Sequence, residues 1–77
     1  QMSYGIHDKV KIGDLVEILR VSIGVPKGTL GVITGSNYNE EMDYILWDVM
    51  MCVGCHDGIL GKRRRYFAMD LDVRQPA

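Results

Sequence analysis

The 77-residue sequence has no apolar run near the ~20 residues needed to cross a membrane. Its first residues lack a basic region followed by an apolar core, so we expect no secretory leader. It has two cysteines, and a cytosolic chain of this size has no need of a disulfide. These absences predict a cytoplasmic protein without a membrane partner.

The sequence also lacks a catalytic constellation. It contains no P-loop and no dinucleotide fingerprint, and adjacent His7 and Asp8 can hardly form an oriented pair across a pocket. A chain this short buries about 60% of its unfolded surface, which leaves little room for a deep substrate cavity. We therefore expect a binding module and not an enzyme, with no cofactor and no small-molecule substrate.

Charge is unevenly distributed along the chain. The net charge of −1 argues against a general nucleic-acid binder. Residues 36–60 hold five acidic residues and no Lys or Arg, whereas residues 61–77 hold five basic residues and two acidic ones. A fold that keeps these two segments apart produces an electrostatically polarised molecule.

Short segments rich in β-branched and aromatic residues, separated by turn residues, predict an all-β fold. We expect one domain over residues 1–77, with residues 1–9 as a loosely ordered arm. Its five strands would form a small Src-homology-3-like barrel with a long loop, residues 50–61, between strands three and four. The predicted strands cover residues 14–20, 28–34, 44–49, 64–68 and 71–74, with turns at 22–27 and 35–41 and a turn of tight helix near 69–70.

Two glycines, Gly28 and Gly31, lie in or beside the second predicted strand. Glycine there indicates a bend, a bulge or a close approach of another strand, as in a bent barrel strand. The alternation of apolar residues predicts a common core. Its predicted members are Val16, Ile18, Val32 and Leu71, completed by Ile45 or Trp47.

Four stretches carry two family resemblances. Residues 13–18 (Gly-Asp-Leu-Val-Glu-Ile), 28–33 (Gly-Thr-Leu-Gly-Val-Ile) and 44–47 (Tyr-Ile-Leu-Trp) resemble the opening of Src-homology-3-like barrels of the KOW type, found in ribosomal proteins and transcription elongation factors. Residues 65–73 resemble the end of the photosystem I accessory subunit, a barrel of the electron-transport accessory group. The resemblance implies a small barrel that binds a partner.

Cys52, Cys55 and His56 form a Cys-x-x-Cys-His segment that is compatible with metal or redox chemistry. A structural zinc site needs four ligands, and the other candidates are distant His7 and carboxylates such as Asp57. A redox dithiol needs a helix N-terminus, but glycine-rich residues follow the second cysteine. We expect reduced thiols packed under a loop and no bound metal.

The strongest charge cluster is the basic run formed by Lys62, Arg63, Arg64 and Arg65. On a strand, Arg63 and Arg65 would face one side and Arg64 the other. The run either binds a partner or offsets the acids of residues 40–48. Both interpretations stay open at the level of sequence.

Aromatic residues supply further candidates for partner binding. Of the adjacent Tyr66 and Phe67, one ring is expected in the core and the other half-exposed. Trp47 belongs either to the core or to an interface. Tyr38 and Tyr44 flank an acidic turn and could form an aromatic, acidic face for a basic partner, or simply pack.

The leading hypothesis is a protein-interaction module, such as a viral or accessory factor, that docks on a larger cellular machine. It would use the loops at residues 21–27, 36–43 and 50–61 and the polarised surface. The alternative is a KOW-like barrel that contacts RNA or DNA phosphates through Lys27 and the basic run.

Overall fold

The computed structural model describes residues 9–53 and 62–77. It is all-β, as the sequence predicts, and a short 3₁₀ helix over Ala68–Asp70 confirms the expected turn of tight helix. The five strands are β1 (Leu15–Ile18), β2 (Leu30–Asn39), β3 (Tyr44–Val53), β4 (Arg63–Tyr66) and β5 (Leu71–Gln75).

The strands form one antiparallel sheet in the order β4-β3-β2-β1-β5. The predicted hairpin between strands two and three is confirmed and dominates the sheet. Within the described residues no pairing joins β4 to β5, so these two strands are the edges of an open sheet. The five predicted strands are therefore present in one sheet, but the sheet is not closed into a barrel.

The central hairpin is longer than the sequence patterns predict. The predicted turn at residues 35–41 is wrong for residues 35–39, because β2 continues to Asn39 and pairs with β3 as far as Tyr44; the turn lies at residues 40–43. The predicted loop at 50–61 is wrong at its start, because β3 continues to Val53. Polar residues and methionines join the ladder here because each has a backbone partner on the facing strand.

One face of the sheet, here called the inner face, carries the core. Side chains alternate between the two faces along each strand, so every second residue points inward. The predicted core residues Val16, Ile18, Leu71 and Trp47 are all buried, and Ile45 packs against them. The remaining buried residues of the core are Val10, Val25, Ile33, Val49, Met51 and Tyr66.

The prediction that Val32 belongs to the core is wrong. Val32 lies opposite Leu15 and Met50 on the outer face, where it is only half-buried. Its neighbours Gly31 and Ile33 occupy the inner positions. The predicted alternation differs from the observed one by one residue, and a shift of one residue exchanges the two faces of a strand.

Gly31 lies where two backbones come close together. The register between β2 and β3 shifts between Leu30 and Gly31, which marks a bulge. A Cβ atom on Gly31 would lie 2.5 Å from Cγ1 of Val49 and 2.8 Å from the carbonyl oxygen of Met50. The predicted close approach is confirmed, and Gly28 has a positive φ of 94° in the preceding turn.

A buried carboxylate fixes the entry to β1. Asp14 accepts hydrogen bonds from the backbone N–H groups of Lys11 at 2.9 Å and Ala77 at 2.8 Å. Burial alone would raise the pKa of Asp14, but these two bonds, helped by the Lys11 ammonium, hold it below its usual value. The carboxylate therefore links the segment before β1 to the segment after β5.

Parts of two predictions lie outside the described residues. These are the N-terminal arm, except for Lys9, and residues 54–61 of the predicted long loop. In the described part of the chain, no helix is long and apolar enough to cross a membrane.

Candidate functional site

A cleft of about 200 Å³ lies between the segment that follows β1 and edge strand β4. Three of its lining residues are arginines, and a hydroxyl and a phenol ring complete the wall. The lining residues are Arg20, Ser22, Arg64, Arg65 and Tyr66. Since guanidinium groups keep their charge at all physiological pH values, this cleft favours an anionic ligand.

Arg64 forms the inner wall of the cleft. It pairs with the buried Val49 across the ladder, so its side chain leaves β4 on the inner face. One Nη group donates to the hydroxyl of Ser22 at 3.3 Å and the other to the carbonyl oxygen of Ile23 at 3.1 Å. Arg64 thus ties β4 to the turn at residues 22–25, whose backbone is closed by two bonds between Ser22 and Val25.

Arg20 contributes the second charge from the segment after β1. Its Nη1 lies 3.8 Å from Oδ2 of Asp70, and about two thirds of its side chain is exposed. An exposed ion pair at this separation contributes little to stability. The guanidinium of Arg20 is therefore available to exchange Asp70 for another carboxylate or for a phosphate.

Arg63 and Arg65 lie on the outer face, as the alternation predicts. Arg65 lies opposite Asp48, and its Nε donates to Oδ1 of that residue at 3.2 Å. Arg63 lies opposite Met50 and is exposed, as is Lys62. The run is thus divided between two faces, and within the described residues its one ion pair to an acid is Arg65 with Asp48.

That ion pair bears on the alternative that the arginines offset the acids of residues 40–48. Arg65 balances the charge of Asp48, whose carboxylate also accepts a hydrogen bond from Nδ2 of Asn37 at 3.1 Å. Among the described residues no ion pair joins the run to Glu40, Glu41 or Asp43. The offset therefore accounts for the ion pair of Arg65, which also lines the cleft, whereas Arg64 makes no ion pair with an acid among the described residues.

The aromatic residues near the cleft are mostly buried. Tyr66 is in the core and Phe67 is half-exposed, which confirms the expected division. Trp47, with 6% of its surface exposed, belongs to the core and not to the surface. Phe67 packs edge-on against Tyr44, with ring centroids 5.5 Å apart and an angle of 73° between the planes.

Tyr38 belongs to the end of the β2–β3 hairpin and not to the cleft lining. Its hydroxyl donates to Oδ1 of Asp43 at 2.6 Å across the acidic turn. This bond, with weaker effects of partial desolvation and of the charges on Asp43 and Glu40, raises the pKa of Tyr38. That Tyr38 and Tyr44 bind a basic partner stays a prediction.

The segment with two cysteines is only partly within the described residues. Cys52 is half-buried on β3 and donates from Sγ to the carbonyl oxygen of Met50 at 3.5 Å. Cys55 and His56 lie outside the described residues. In the part of the chain that the structure describes, no cluster of three His, Cys, Asp or Glu side chains is arranged to hold a metal ion.

The sequence patterns missed Arg20 as a site residue and included Ser22 only as part of the predicted contact loop at residues 21–27. Arg64 lies 42 positions from Ser22 along the chain, and no local pattern connects the two segments. The order of strands places β4 at one edge of the sheet, and the turn at 22–25 reaches it. Only long-range folding could have revealed this part of the cleft.

The chain was compared with protein-family models, with curated proteins and with solved structures. No family model, no curated protein and no solved structure matches it.

Proposed function

We propose that this chain is a protein-interaction module that binds an acidic segment of a partner protein in the cleft between Arg20 and Arg64. The observation that carries the proposal is the cleft itself, about 200 Å³ in volume and lined by three arginines. A small β-domain that presents such a cleft fits the expected role of an accessory factor docking on a larger machine.

The donors left over by the fold supply the binding chemistry. A guanidinium carries five N–H donors, and two of those of Arg64 are used by Ser22 and Ile23. The remaining donors, with those of Arg20, match the planar geometry of carboxylates, which arginine binds through paired hydrogen bonds. Arginine is also enriched among residues that dominate binding energy.

Nucleic-acid binding is the second candidate, because the same arginines would also bind phosphates. Single-stranded nucleic acids additionally need exposed aromatic faces on which bases stack. Near the cleft, Tyr66 and Trp47 are in the core, and Phe67 already packs against Tyr44. A protein carboxylate therefore fits this cleft better than a stacked base.

A Src-homology-3-like barrel stays our proposal for the finer fold. The strand order, the short 3₁₀ helix before the last strand and the resemblance of residues 13–18 and 28–33 to KOW-type barrels support it. A cytoplasmic location likewise stays a prediction.

Fluorescence anisotropy with two labelled probes tests the proposed function. One probe is an octapeptide of alternating Glu and Ser, and the other is an eight-nucleotide single-stranded RNA. We expect the peptide to bind more tightly than the RNA, and both to bind more weakly as NaCl rises from 25 to 500 mM. RNA binding that exceeds peptide binding would favour the second candidate.

Variants locate the binding site. Arg64→Ala and Arg20→Ala should each weaken peptide binding about tenfold, the order expected for loss of a charged hydrogen bond. Arg63→Ala is the matched control, because it removes the same charge from the outer face of the same strand. Equal losses in all three variants would show that general charge, and not the cleft, binds the peptide.

A further inference from the structure

Apolar side chains flank the arginine cleft, and they are exposed. Ile23 has 91% of its surface exposed, Val21 69% and Met69 76%, and Leu19 is also exposed. β-branched residues usually lie in strands or cores. Two such residues, Val21 and Ile23, are exposed here together with Leu19 and Met69, and a group of exposed apolar side chains marks a contact surface more often than a set of solvated loop residues.

Two hydrogen bonds hold this apolar rim against the charges of the cleft. The carbonyl oxygen of Ile23 accepts from Arg64 at 3.1 Å, so the exposed turn is joined directly to the inner wall. The N–H group of Leu19 donates to the carbonyl oxygen of Asp70 at 2.9 Å, which joins the segment after β1 to the 3₁₀ helix that carries Met69. The segment after β1 therefore carries both apolar and cationic groups, because Arg20 lies between Leu19 and Val21.

We infer that the cleft recognises a bulky apolar side chain placed next to acidic residues in the partner segment, an inference that rests on the proposed function. Carboxylates of the segment pair with Arg20 and Arg64. The apolar side chain packs against the rim formed by Leu19, Val21 and Ile23. Charge attracts the segment, and the apolar contact selects among acidic segments.

An anionic membrane would also attract arginines beside exposed apolar residues, but the molecule fits it less well. A short acidic segment meets only the cleft, whereas an extended anionic surface also meets the rest of the molecule, which has a net charge of −1. A concave cleft also suits a narrow chain better than a flat bilayer. We therefore commit to a protein segment, and membrane binding becomes an outcome of the test.

The test compares three heptapeptides by anisotropy. The first is Ser-Glu-Glu-Leu-Glu-Glu-Ser, the second replaces its leucine with serine, and the third keeps the leucine but replaces every glutamate with serine. We expect the first to bind about tenfold more tightly than the second. The third should bind more weakly than both, because it lacks the carboxylates.

In the variant Ile23→Ser, the affinity of the first peptide should fall towards that of the second, while the affinity of the second peptide should stay the same. The fold should tolerate this change, because Ile23 is almost fully exposed. Met42→Ser is the matched control, since Met42 is also exposed but lies in the turn after β2, away from the cleft. In Met42→Ser, the ratio of the affinities of the first and second peptides should be unchanged.

The outcomes separate the two proposals. Equal binding of the first two peptides would overturn the inference and leave the proposed function standing. Failure of both to bind would overturn the proposed function and the inference with it. Tighter binding to phosphatidylserine vesicles than to the first peptide, lost in Ile23→Ser, would overturn the inference in favour of a membrane surface.

Discussion

A single methyl group added at position 31 tests the close approach between β2 and β3. In Gly31→Ala, the new Cβ would lie 2.5 Å from Cγ1 of Val49 and 2.8 Å from the carbonyl oxygen of Met50. Val49 is fully buried, and Met50 is paired with Val32 on β2. Relief of the clash therefore requires movement of packed atoms or of the ladder between β2 and β3.

The expected cost follows from two opposing effects. Forcing an extra methyl into a packed core costs about 1–3 kcal/mol. Replacing glycine also restricts the unfolded chain, which returns about 0.4–1 kcal/mol. We expect a net loss of about 1–2 kcal/mol for Gly31→Ala, and more for Gly31→Val. The total stability of a 77-residue domain is roughly 4–12 kcal/mol, so the alanine variant should stay folded at 25 °C.

Thermal unfolding followed by circular dichroism measures the effect. In a domain of this size a loss of 1 kcal/mol lowers Tm by about 4–8 °C. Gly35→Ala is the matched control, because its Cβ would lie 3.2 Å from Oδ2 of Asp48, a contact that a shift of a few tenths of an ångström in one partly exposed side chain relieves. We expect a smaller shift there. If Gly31→Ala melts at or above the wild-type Tm, the steric reasoning is refuted.

Three further predictions concern the core and two carboxylates. Ile33→Ala should cost about 2–4 kcal/mol and Val32→Ala clearly less in urea unfolding, because only Ile33 points into the core; similar losses would contradict the assigned faces. Asp14 has a lowered pKa, so its stabilising effect is complete above about pH 4 and is lost at lower pH. In Asp14→Asn, the free energy of unfolding should depend less on pH below about pH 4. An unchanged pH dependence in that range would refute the assignment. Tyr38 has a raised pKa, so its bond to Asp43 stabilises the hairpin below about pH 10 and is lost as pH rises past the raised value. Absorbance titration should show one tyrosine moving to lower pKa in Asp43→Ala, and no movement would contradict the bond.

The alternation within each strand could be predicted locally, but its phase could not. Val16 and Ile18 were assigned correctly to the core, since one clear alternating run places both on one face. Val32 was misplaced because Gly31 takes an inner position without contributing a side chain. Because glycine has no side chain, it does not contribute to the pattern of apolar residues. Only the pairing of Gly31 with Val16 shows which residues of β2 face the core.

The ends of the strands depended on partners that local sequence does not display. Residues 35–39 are polar and turn-rich, yet they form the second half of β2 because β3 faces them. The low strand propensity of these residues is overridden where a neighbouring strand supplies backbone hydrogen bonds. The same reason extends β3 through Met50 to Val53.

By itself, the sequence determined the all-β class, the five strands, the central hairpin and the separation of Arg64 from its basic neighbours, because these follow from composition and from alternation over a few residues. Tertiary structure alone decided that Arg64 meets Ser22 and Ile23 and that Arg20 lies at the same cleft. It also decided that Trp47 is core. These facts depend on which strands become neighbours, and that choice is made by the burial of the whole chain and not by any segment.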